Sequence, residues 1–142
     1  MQGLHIIADL ADCPPSVLLT SATRLESLCR DACARAGLSI LGTHFHQFAS
    51  AQGGAGGVTG ALVLAESHLA IHTWPEHCGA TLDIYVCNHS VDNSAKAEAA
   101  FAMLRDALAP ADLKARRIWR GGARGTDVPL QSPAAEPLDA AG

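Results

Sequence analysis

Between Ala65 and Glu76 the chain reads Ala65-Glu66-Ser67-His68-Leu69-Ala70-Ile71-His72-Thr73-Trp74-Pro75-Glu76. A serine, two histidines and two glutamates here interrupt a run that otherwise has the apolar character of a buried sheet. An unsatisfied buried polar group costs about 1–3 kcal/mol, so this many in one extended segment points to chemistry. Ser67, His68 and His72 are the candidate chemical groups. If Ser67–Trp74 and Ala80–Cys87 form a hairpin centred near His77, Ser67 faces Cys87, and hydroxyl and thiol can serve one reacting atom. His72 lies on the opposite strand face and roughly 16 Å away at about 3.3 Å per residue. It cannot easily reach its own Ser67, but it could reach that of a second copy stacked sheet on sheet.

The elements that must hold these groups follow from periodicity. Leu4–Leu10 predicts a first strand. Leu25, Leu28, Cys29, Ala32, Cys33 and Ala36 recur at helical spacing, with Thr23 and Glu26 as a capping box and Gly37 as the stop. A strand over Leu38–Phe48, a glycine-rich loop over Ala49–Gly57 and extended segments over Val58–Glu66 and Ser67–Trp74 come next. After a turn at Pro75–Gly79 follow a strand over Ala80–Cys87, a helix from about Asn93 to Leu108 and a last strand over Lys114–Gly121. Six strands and two helices predict an α+β two-layer sandwich: an antiparallel sheet with both helices on one face. Leu69 and Ile71 read as lying on one side of the hairpin and Leu82, Ile84 and Val86 on the other. That would leave the second sheet face apolar, so a homodimer with α/β/β/α layers is expected to bury it. The domain is expected over residues 1–125, with a disordered tail over 126–142.

Composition narrows the partners. A formal charge of −4 with lysine only at Lys96 and Lys114 argues against a nucleic-acid binder, and Arg116, Arg117, Arg120 and Arg124 read as a solvated strand end. Neither a signal peptide nor a run of about 18 apolar residues is present, so a cytoplasmic protein with five reduced cysteines and no membrane partner is expected. Cys29 and Cys33 read as small core residues and Cys78 as an exposed thiol. The rival reading is zinc binding by His44 and His46, at i and i+2, or by His68 and His72; it lacks a carboxylate or cysteine at ligand spacing.

The stretches Gly57-Val58-Thr59-Gly60, Ala65-Glu66-Ser67-His68-Leu69 and Ile71-His72-Thr73-Trp74-Pro75-Glu76 resemble the self-processing region of the short prokaryotic S-adenosylmethionine decarboxylases. The likeness extends to His44-Phe45-His46-Gln47-Phe48 and Asp83-Ile84-Tyr85-Val86-Cys87, over about residues 3 to 120. It implies a proenzyme that cleaves itself at Glu66-Ser67, with Ser67 Oγ attacking the Glu66 carbonyl to give an ester. Thr59 would support the developing oxyanion, and His72 would remove the Cα proton of Ser67. Position 67 would become a covalent pyruvoyl group, an electron sink for decarboxylation with no metal. Cys87 would then reprotonate the substrate carbon. By the same resemblance Phe48 would stack on adenine, Trp74 would wall the pocket and Glu76 would bind the ribose. The activity implied is decarboxylation of S-adenosylmethionine to the aminopropyl donor for spermidine biosynthesis. The same chemistry on arginine or ornithine is the alternative. The loop over Ala51–Gly57 and the turn His77-Cys78-Gly79 depart from the family pattern.

Overall fold

A computed structural model describes residues 2–122. The strands are β1 (Gly3–Ala11), β2 (Ile40–Ala49), β3 (Ala55–Leu64), β4 (Ser67–Trp74), β5 (Gly79–Cys87) and β6 (Asp112–Arg120). The helices are α1 (Ala22–Ala36) and α2 (Ser94–Leu108). The six strands form one antiparallel sheet in the order β2-β3-β4-β5-β1-β6. Helix α1 packs over β2 and β3, and α2 over β1 and β5, as the two-layer reading predicts. The tail expected beyond residue 125 lies outside the described residues, as does Arg124.

The helix-facing side of the sheet is the core. Leu4 and Ile6 of β1, Leu82, Ile84 and Val86 of β5, Leu69 and Ile71 of β4 and Leu62 of β3 are all buried against Leu25, Cys29, Phe101 and Leu104 of the helices. Each side chain of that size contributes about 1.5–3 kcal/mol on burial. The close fit extends to the backbone: a Cβ on Gly60 would lie 2.2 Å from the Phe45 ring.

Helix α1 starts two residues earlier than a capping box at Thr23 would place it. Ser21 is the N-cap, its Oγ accepting from the Arg24 N–H at 3.2 Å. Glu26 instead accepts from the Thr43 hydroxyl at 2.7 Å and from Arg30. Gly37, at φ 86°, ends the helix as expected.

Two expectations fail on one cause, the turn between β4 and β5. Pro75–His77 form a single 3-10 turn and Cys78 closes it at φ 49°, so four residues separate Trp74 from its partner Gly79. The hairpin centre therefore falls between Glu76 and His77, and Ser67 pairs with Val86 rather than Cys87. In this register Leu69 pairs with Ile84 and Ile71 with Leu82. These apolar residues lie on the same helix-facing side, not on two sides of the sheet.

The open side, expected to be apolar, is largely polar. It carries His5 and Asp9 from β1, Thr81, Asp83 and Tyr85 from β5, His68 and His72 from β4, and His44 and His46 from β2. Ala61, Ala70 and the exposed Val63 lie among them. The arginines of β6 are not merely solvated: Arg117 pairs with Glu98 of α2, and Arg120 lies 4.4 Å from the Tyr85 ring centroid. No helix among the described residues is long and apolar enough to cross a membrane.

Candidate functional site

Strands β3 and β4 are joined by the two residues Ala65 and Glu66, with Leu64 and Ser67 as the closing pair. Ser67 has φ 154°, a conformation glycine tolerates and other residues adopt at a cost of about 1–3 kcal/mol. The strain therefore falls on the residue that follows the Glu66-Ser67 bond. The register shift brings Cys87 opposite Glu66, and the Cys87 N–H donates to the Glu66 carbonyl oxygen at 2.7 Å. The Glu66 carboxylate is tied back to the Ser39 N–H at 3.1 Å. Backbone donation to the carbonyl before Ser67 is a site feature that a reading of side chains alone misses.

At the other end of β4, Thr59 and His72 are cross-strand partners, with Thr59 Oγ1 2.6 Å from His72 Nδ1. His72 is exposed and Thr59 half-buried. Thr59, His72 and the remaining expected substrate residues share one cleft of about 720 Å³, which includes Phe48, Trp74, Pro75 and Glu76. Phe48 and Trp74 are 49% and 40% exposed, so two aromatic faces and a carboxylate meet in a space of ligand size. Neither Ser67 nor Cys87 lines this cleft. The expected site residues thus form two groups separated by the length of β4: Glu66, Ser67 and Cys87 at its start, and Phe48, Thr59, His72, Trp74 and Glu76 toward its end.

A third group stands on the open face near the start of β4, across the sheet from the helix-facing side on which Ser67 pairs with Leu64 and Val86. Asp83 Oδ2 lies 2.8 Å from His5 Nε2 and 3.3 Å from His68 Nε2. Among the described residues this is the one set of at least three side chains spaced to hold a metal ion. It is not the set of His44, His46, His68 and His72 suggested by spacing along the sequence. The carboxylate missing from that spacing comes from β5, which no sequence interval could indicate.

The cysteines divide as expected. Burial pushes the Cys33 thiol up to about 11, with the Glu66 carboxylate adding to the effect. The Cys29 thiol is pushed up further by burial, then by Cys33 and Glu26. Cys78 is exposed, and none of the five is in a disulfide.

A model of the S-adenosylmethionine decarboxylase family matches residues 4–121. The chain belongs to that family. Among its relatives, "S-adenosylmethionine decarboxylase proenzyme 1" of Bacillus cereus is 40% identical over 97 residues, 68% of this chain and 70% of that protein. The S-adenosylmethionine decarboxylase proenzyme of a Hydrogenobaculum species is 35% identical over 129 residues, 89% of each chain. The crystal structure of the adenosylmethionine decarboxylase from Aquifex aeolicus superposes with a TM-score of 0.74 at 32% identity, covering 88% of this chain and 95% of that one. Membership in the S-adenosylmethionine decarboxylase family accounts for the α+β fold and the motif around Ser67. Neither the arginine or ornithine alternative nor a zinc-binding protein is supported.

Proposed function

We propose that this chain is a proenzyme that cleaves itself between Glu66 and Ser67 and then decarboxylates S-adenosylmethionine, each site being shared by two copies in a homodimer. The observation that carries the cleavage is the strained Ser67 at φ 154°, combined with the Cys87 N–H on the Glu66 carbonyl at 2.7 Å. Ser67 Oγ adds to that carbonyl, and the C–O bond forms as the C–N bond of the amide breaks. The Cys87 N–H is already aimed at the oxygen on which charge develops, the arrangement that stabilises acyl-transfer transition states. Moving the acyl group off the nitrogen also relieves the constraint on Ser67.

His72 then takes the Cα proton of Ser67, and the ester breaks with Glu66 leaving as a new C-terminal carboxylate. For this role His72 donates its Nδ1–H to Thr59 Oγ1, which leaves the Nε2 lone pair as the base. It also leaves the Thr59 hydroxyl proton available to the oxyanion. The alkene left at position 67 takes up water and releases ammonia, so that the serine becomes a pyruvoyl group. A serine on a strained turn between two paired strands fits that group, which needs a chain terminus at position 67 without loss of the sheet. The pyruvoyl group supplies an electron sink for the carbanion left when carbon dioxide departs. Cys87, on the open face beside the cut, returns a proton to the substrate carbon.

The split along β4 supports the dimer. His72 and Thr59 are about 16 Å from Ser67, five residues at about 3.3 Å each, too far for proton transfer. Two open faces stacked with their β4 strands antiparallel bring each Thr59–His72 pair and its cleft to the start of the partner's β4, where Ser67 has to reach across from the helix-facing side on which it pairs with Leu64 and Val86. The small residues Ala61 and Ala70 allow close approach near the middle. Phe48 and Trp74 then take the adenine and the sulfonium cation, and Glu76 takes the ribose hydroxyls. A cytoplasmic location, where cysteines outside disulfides stay reduced, and the supply of an aminopropyl donor for spermidine biosynthesis belong to the same reading.

The intact mass of the purified protein tests it. Two pieces, residues 1–66 and 67–142 with position 67 lacking its amino nitrogen, are expected. A single uncut chain that stays uncut on prolonged incubation sinks the proposal.

A further inference from the structure

The cluster of His5, His68 and Asp83 has no part in the steps above, yet it stands on the open face, where substrate must lie, at the end of β4 that begins with Ser67. Its hydrogen bonds run in one direction. Arg120 Nη1 lies 3.5 Å from His5 Nδ1, and a guanidinium can only donate. His5 Nδ1 is therefore the acceptor, and His5 Nε2–H donates to Asp83 Oδ2 at 2.8 Å. The His68 Nε2–H donates to the same oxygen at 3.3 Å. Metal binding at Nε2 would remove both of these protons and put a protonated His5 Nδ1 against Arg120, so the arrangement suits proton transfer better than a cation. What remains is His68 Nδ1, which is the acceptor nitrogen of the neutral ring once Nε2–H is on Asp83, on a side chain that is 42% exposed. Its ring packs against Tyr85, at a centroid distance of 5.9 Å, and against His5, at 6.0 Å. A base oriented by a carboxylate on its far nitrogen is the arrangement that activates imidazole in many acyl-transfer sites.

We infer that His68, oriented by Asp83, is the proton acceptor for the substrate's α-amino group. This rests on the self-cleavage reading above. An α-amino acid arrives mostly as the ammonium ion, which has no lone pair with which to attack a carbonyl. His68 Nδ1 takes one ammonium proton while its Nε2–H stays on Asp83. The free amine adds to the carbonyl carbon at position 67, and one of its two remaining protons passes to the oxygen; the proton held on His68 completes the water as the C–O bond breaks, leaving a C=N bond with one proton on nitrogen. The ring ends as it began, and no other reactant is consumed. Asp83, His5 and Arg120 are positioning residues that fix the tautomer. The charged and titratable groups facing His68 are Asp83 and Tyr85 from β5, His5 from β1 and, beyond Tyr85, Arg120 from β6; its partner on β3 is the uncharged Val63.

His68→Gln keeps a donor for Asp83 and removes the base. Two probes on the cleaved protein read the difference by intact mass: hydroxylamine, an amine that is neutral near pH 7, and S-adenosylmethionine trapped by cyanoborohydride. The variant is expected to cleave normally and to form the hydroxylamine adduct at the wild-type rate, while the trapped S-adenosylmethionine adduct forms at least tenfold more slowly. Turnover is expected to fall about 100-fold or more, the usual contribution of a positioned base, with KM little changed. Asp83→Asn is expected to slow the trapped adduct selectively as well, and it carries the test if His68→Gln does not fold. Equal rates of trapping in variant and wild type overturn the inference. So does equal slowing with both probes, which would mean a ring that only shapes the site, and so does failure of folded His68→Gln to cleave. A wild-type protein that gives no hydroxylamine adduct overturns the self-cleavage reading instead.

Discussion

At the scale of the residue, Ser67 and His72 stood out because their types are out of place in an apolar run, whereas Cys87 was singled out by the family resemblance and by an expected pairing with Ser67 that the structure gives to Val86. Their partners were not legible. The Thr59–His72 contact at 2.6 Å and the Cys87 N–H on the Glu66 carbonyl depend on strand register, and register depends on a turn whose geometry the sequence does not spell out. The proposed roles separate cleanly by substitution. Ser67→Ala is expected to give one uncut chain by intact mass. His72→Ala is expected to stop at the ester, which hydroxylamine splits. Cys87→Ala keeps the backbone N–H on Glu66, so it is expected to cut normally, but to lose about 100-fold or more in carbon dioxide release. A Cys87→Ala protein that fails to cut would place the thiol itself in the cleavage step.

At the scale of the element, all six strands and both helices could be read from the sequence, because the helices and the four inner strands bury one face in the same core and the edge strands β2 and β6 pack part of theirs against it. The turn from Pro75 to Cys78 could not, and its four residues where an odd number was expected moved Leu69 and Ile71 of β4 to the same side as Leu82, Ile84 and Val86 of β5. Thr73, within the segment that looked chemical, is structural. It is buried, accepts from the Val58 N–H at 2.9 Å and donates to the Leu19 carbonyl at 2.7 Å, joining β3 and β4 to the 3-10 turn Val17–Leu19. Thr73→Val leaves both backbone groups unpaired and is expected to cost about 1–3 kcal/mol in urea unfolding, with cleavage retained. Helix α1 carries a pH dependence through Cys29 and Cys33. Both thiols are raised in the folded state, so their contribution is complete below the ordinary thiol value of 9.0 and is lost as pH rises from there toward about 11. Cys33→Ala is expected to flatten the alkaline loss of stability measured by thermal unfolding. An unchanged slope would show that the titration lies elsewhere.

At the scale of the whole molecule, the division of the proposed site along β4 makes a genetic prediction. Ser67→Ala and His72→Ala chains, each inactive alone, are expected to restore one working site when co-expressed. In the mixed dimer the His72→Ala chain keeps its Ser67 and meets an intact His72 from the other copy. Cutting confined to the His72→Ala chain is the expected mass result, and no cutting would place the base in the same chain. The strand order β2-β3-β4-β5-β1-β6 has a further consequence once the Glu66-Ser67 bond is broken. The first piece holds β1, β2 and β3, and the second holds β4, β5 and β6. Strand β1 of the first piece is threaded between β5 and β6 of the second, while β2 and β3 lie beyond β4, so the fragments are interlaced rather than side by side. Isotopically labelled and unlabelled cut protein, mixed without denaturant, should therefore keep their original fragments and exchange them only after unfolding. Maturation on this plan runs one way: a single chain can assemble the sheet, whereas a matured enzyme that has once unfolded must find its other half again.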